Sequence, residues 1–67
     1  MAHATLTPQI AYAAGQDAGN RSMRKAGRTK WNRTDYNAAA HETNRLMAAL
    51  FTSAGHPDIA AKIAELA

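Results

Sequence analysis

Six cationic side chains, Arg21, Arg24, Lys25, Arg28, Lys30 and Arg33, fall within thirteen consecutive positions. Four are arginines, whose planar guanidinium grips phosphate or carboxylate through two parallel hydrogen bonds. Asn20, Thr29 and Asn32 add hydrogen-bonding groups among them, and Trp31 adds one stacking surface. Grouped at one corner, such charges create a potential that attracts phosphate or an acidic protein surface. Three readings of this corner stand: a solvated basic patch serving capping and solubility, a contact for nucleic acid, or a dock for an acidic protein partner. Sequence-specific reading of bases is not expected, since no helix-turn-helix spacing, zinc finger or RNA-binding sheet motif is present.

The net charge of +3 understates this concentration, because residues 1–33 carry +5 and residues 34–67 carry −2. Catalytic patterns are not found: there is no cysteine nucleophile, glycine-rich phosphate loop, serine elbow or metal-type pairing of histidine and carboxylate. His41 and Glu42 are adjacent and diverge on a helix, and His56, between Gly55 and Pro57, reads as the residue opening a helix. His3 would chelate copper or nickel only with Met1 retained, and Ala2 favours its removal. The expectation is a binding protein without enzymatic activity, cofactor or metal.

The elements that position the basic segment are helical. Thr7 and Pro8 read as an N-cap with proline in the first turn, and a first helix is expected from Pro8 to Ala26, stopped by Gly27. Its Ala11, Gly15, Ala18, Gly19, Ser22 and Ala26 form a stripe nearly devoid of side chain. Gly15 and Gly19 there serve either close packing of another helix of the same chain, a homodimer contact, or a ligand's approach to bare backbone.

A second helix is expected to open at Asn32, with Asp35 returning a capping contact and Trp31 and Tyr36 forming a hydrophobic staple. The apolar face Tyr36, Ala39, Ala40, Thr43, Leu46, Met47, Leu50 and Ala54 carries it to Gly55. Pro57 begins a short third helix, with Asp58 at its positive end and Ile59, Ala60, Ile63, Leu66 and Ala67 facing inward.

The whole is read as one all-α domain, residues 1–67, in which two longer antiparallel helices are closed by a short third and Met1 to Leu6 fray. Thirteen large apolar residues are expected to form its core: Leu6, Ile10, Tyr12, Met23, Trp31, Tyr36, Leu46, Met47, Leu50, Phe51, Ile59, Ile63 and Leu66. A cysteine-free chain this small must rely on tight helix packing or self-association, and 17 alanines suit the former. No membrane span or secretory signal is read in the sequence, so a cytoplasmic location is expected.

The stretches Asp17-Ala18-Gly19-Asn20-Arg21, Ala26-Gly27-Arg28-Thr29, Trp31-Asn32 to Tyr36-Asn37 and Glu42-Thr43-Asn44-Arg45-Leu46 resemble short helical proteins encoded by bacteriophages and other bacterial mobile elements. The resemblance covers residues 16–47 and carries no named family. It implies a small accessory protein or an inhibitor of host defence, such as an anti-CRISPR protein, that occupies a surface of a larger protein or nucleoprotein complex.

Overall fold

The computed structural model describes residues 5–66 and contains three helices: α1 (Pro8–Lys25), α2 (Arg33–Ser53) and α3 (Pro57–Leu66). Of the segment Met1 to Leu6 expected to fray, residues 1–4 lie outside the described residues, as do the reading of His3 and the inward placement of Ala67; Thr5 and Leu6 are described and precede α1.

Local chemistry explains every boundary of the hairpin. Thr7 accepts from the Ile10 N–H at 3.2 Å through its hydroxyl, with Pro8 in the first turn. α1 stops in a Schellman motif, in which the Gly27 N–H donates to the Arg24 carbonyl and the Arg28 N–H to the Met23 carbonyl. Gly27 takes φ 72°, a conformation costly for any residue with a Cβ. Gly55 repeats the motif after α2, with His56 packed edge-on against Phe51. The complete capping box of Asn32 and Asp35 opens α2, and the Trp31 and Tyr36 rings meet in a T-shaped contact at 5.0 Å.

α1 and α2 run antiparallel because a short turn joins them, and the glycine stripe admits their close approach. A Cβ built on Gly15 would stand 1.9 Å from Thr43 Oγ1 and 2.8 Å from the Ala39 carbonyl oxygen. One built on Gly19 would stand 2.3 Å from the Trp31 ring. The chain's own α2 and Trp31 therefore cover both glycines, which corrects the homodimer contact expected there and leaves no room for a ligand at that backbone.

Two further expectations are corrected. α3 packs on α2 but makes no contact with α1 among the described residues, so the third helix flanks the hairpin instead of closing it. The molecule measures 40 × 33 × 14 Å, and its radius of gyration, 13.3 Å, exceeds the roughly 11 Å of a compact chain of this length. With the helices spread as a plate, none of the thirteen large apolar residues is fully buried. The buried apolar positions are small, Ala11, Gly15, Gly19 and Ala60. α2, flanked on two sides, is half-buried over most of its second half.

Candidate functional site

The joint between α1 and α2 is organised by a carboxylate. Asp35 is completely buried, the bulkiest residue to be so. One oxygen accepts from Ser22 Oγ at 2.7 Å and from Arg28 Nη2 at 2.8 Å; the other accepts from the Asn32 N–H at 2.8 Å and from Arg28 Nη1. Four donors thus fill the four acceptor sites of an ionised carboxylate. Ser22 comes from α1, Arg28 from the turn and Asn32 from the cap, so one side chain fastens three segments.

The Arg28 guanidinium holds the Asp35 carboxyl well below the usual carboxylate range, against the opposing effect of burial, and the Asn32 N–H and Ser22 hydroxyl act in the same direction. The same pairing raises Arg28. A depressed carboxyl contributes stability that is complete above its unfolded value and is lost as pH falls through the folded one. The thermal midpoint is therefore expected to drop once pH goes below about 4. Asp35→Asn, melted in parallel, should flatten that acid limb.

This geometry separates the six cations. Arg28 is spent on Asp35 and holds the joint together. Arg24 and Lys25 occupy the last turn of α1, where positive charge favours the helix dipole. Arg21 lies close enough to Glu42 to help hold its carboxyl below the usual range, behind the hydrogen bond from Arg45 and the effect of Arg45's charge.

Lys30 and Arg33 have no such explanation. Both are exposed and make no ion pair among the described residues. Arg33 occupies the first turn of α2, where the dipole disfavours a cation.

Trp31 lies between them, half-buried over Gly19, its indole N–H donating to Asn20 Oδ1 at 3.0 Å. Tyr36, on the same face as Arg33 one turn along, contacts Trp31 but stays 62% exposed. Helical spacing puts Arg24 on the side of α1 opposite Gly15 and Arg33 on the side of α2 opposite Asp35. The charges consequently ring the closed end of the hairpin instead of lining one face.

No family model, curated protein or solved structure matches the chain.

Among the described residues, no three histidine or carboxylate side chains come together as metal ligands, and no helix is long and apolar enough to cross a membrane. The buried ion pair of Asp35 with Arg28 is the structural element that sequence reasoning missed. Its signal was the placement of Arg28 directly after the left-handed Gly27, which turns that side chain back toward the start of α2.

Proposed function

We propose that this chain is a non-enzymatic binding protein whose cationic end docks on an anionic surface of a larger protein or nucleoprotein complex. The observation that carries the reading is the pair Lys30 and Arg33: exposed, outside any ion pair among the described residues, and in the case of Arg33 held where helix electrostatics disfavour it. Trp31 anchors the patch, Tyr36 extends it, and Arg24, Lys25 and Arg21 enlarge its field. Arg28 and Asp35 hold this end in one shape, so little ordering remains to be done on binding. A phage accessory protein acting in the host cytoplasm, for example as an inhibitor of a defence complex, fits a binder of this size and charge.

Exposed Tyr36 beside Trp31 and Arg33 favours a second reading, direct and largely sequence-independent contact with nucleic acid through phosphate and base stacking. Titration of duplex and single-stranded oligonucleotides across a salt series separates the two. Direct binding weakens steeply as salt rises, through counterion release, whereas failure to bind either oligonucleotide at low salt leaves the protein dock.

Arg33→Glu distinguishes a functional cation from a structural one. It should raise the thermal midpoint by about 2–7 °C by relieving the dipole conflict, while weakening association with the partner. A lowered midpoint would mean that Arg33 serves the fold.

A further inference from the structure

The exposed apolar side chains of the three helices meet on one broad face of the plate. Each helix presents one large apolar residue that is more than half exposed: Tyr12 of α1 at 62%, Tyr36 of α2 at 62% and Leu66 of α3 at 78%. Contacts across the α1–α2 seam fix the side of the first two. Arg21 comes close to Glu42 on one flank of that seam, and helical spacing puts Tyr12 and Tyr36 on the other flank of their helices. Trp31 spans this second flank, seated over Gly19 and against Tyr36. α3 runs antiparallel to α2, because Leu66, its last residue, lines a cleft with Asn37, Ala40 and His41 near the start of α2. α3 packs on α2 through Ala60, and the right-handed sense of the helix then carries Leu66 to the side of Tyr36.

Charge is divided between the two faces in the same way. None of the five acidic side chains lies on the apolar face. Asp35 is buried, Glu42 is on the opposite face with Arg21 and Arg45, and helical spacing puts Asp17, Asp58 and Glu65 at the outer edges of α1 and α3. Arg33, on the side of α2 that carries Tyr36, borders the apolar face, with Lys30 at the same end. A second copy laid on this face offers these cations no anion. The body is 14 Å thick within an outline of 40 × 33 Å, so three anchors on three separate helices suit a flat partner.

We infer that this face lies on an anionic membrane surface. Tyr12, Tyr36 and Leu66 enter the boundary between headgroups and acyl chains, and Arg33 and Lys30 stand at the level of the lipid phosphates. A tyrosine, with an apolar ring and a polar tip, suits that boundary. Anionic headgroups attract cations held close to them, and the apolar anchors add the area that leaves water. The contact is peripheral, since no helix among the described residues is long and apolar enough to cross. The inference rests on the apolar face and not on the docking reading, and Tyr12 and Leu66, which have no part in the cationic end, separate the two.

Co-sedimentation of the full chain with vesicles at low salt tests the inference, using phosphatidylcholine alone and equal parts of phosphatidylcholine and phosphatidylglycerol. The wild type should pellet with the mixed vesicles and bind phosphatidylcholine alone at least about tenfold more weakly. The double variant Tyr12→Ser, Leu66→Ser keeps every charge and should lose at least about tenfold of the partition into mixed vesicles. Its helical circular dichroism should be unchanged, because side chains so exposed contribute little to packing within the chain. If the double variant loses helix, Leu66→Ser alone decides. A wild type that stays in the supernatant with mixed vesicles overturns the inference and leaves the face to a protein. A serine variant that binds like the wild type overturns it as well, assigning the binding to the cationic end alone, and equal binding to both kinds of vesicle overturns the anionic surface.

Discussion

Asp35→Ala should lower the thermal midpoint by roughly 10 °C or more. Four donors lose their common acceptor at once: the two Arg28 nitrogens, Ser22 Oγ and the Asn32 N–H. Removing one member of a buried ion pair costs more than the pair itself is worth, because the remaining charge stays partly desolvated without a counterpart. Arg28 is 29% exposed and can recover some hydration by swinging outward. Ser22, facing α2 from within α1, has less freedom to do so.

Asp35→Asn keeps the shape and some acceptor capacity and should fall between wild type and alanine. The same melts on Arg28→Ala complete the comparison: Asp35→Ala and Arg28→Ala should be far from additive in the double variant, as for any pair in direct contact. A double variant whose loss equals the sum of the singles would mean that Asp35 stabilises the joint without Arg28.

Gly19→Leu should separate the hairpin. The indole of Trp31 occupies the space a Cβ would need, with ring atoms 2.3 and 2.4 Å from it, and a leucine extends farther still. The ring must leave, and with it go the Asn20 hydrogen bond and the Tyr36 contact. Trp31 is the only tryptophan, so its fluorescence reports this directly. The emission should shift to the red and the cooperative melt should be lost.

Gly15→Ala gives a milder version with a less obvious sign. Alanine is the better helix former by about 1 kcal/mol, yet overpacking costs about 1–3 kcal/mol. The neighbour at 2.8 Å is the Ala39 backbone oxygen, which cannot rotate away. Steric cost should prevail, making the substitution destabilising. A gain in stability would show that α1 and α2 pack less closely than the structure has them.

Why the helices and the α1–α2 hairpin could be read from sequence and the place of α3 could not follows from the range of the interactions. Thr7, Asn32, Gly27 and Gly55 act on backbone groups within five residues, and each cap appears where its residue type requires. The contact of Trp31 with Tyr36 is equally local. α3 was misplaced because an apolar periodicity states which residues seek cover and leaves open which element supplies it. Ile59 and Leu66 satisfy the pattern for an inner face and are nonetheless exposed. The size of a side chain misled in the same way, since the closest approach needs the smallest residues, and Gly15, Gly19 and Ala11 are buried while Tyr12 is not.

For the cationic segment, the sequence located the charges but could not divide them. Asp35 was legible as a capping residue, and its second role depends on the turn that returns Arg28 and on the facing of Ser22, both set by tertiary geometry. That division changes which residues are worth altering: Arg28 belongs to the fold, and Lys30 and Arg33 to the exposed end.

Affinity capture from cell lysate tests whether the exposed cations of this end form a docking site. Wild type is compared with a triple alanine variant of Arg24, Lys30 and Arg33, each with and without nuclease. The wild type should retain a defined set of proteins after nuclease treatment that the triple variant loses, with both chains equally folded by circular dichroism. The same proteins captured equally by the triple variant would contradict a docking site there.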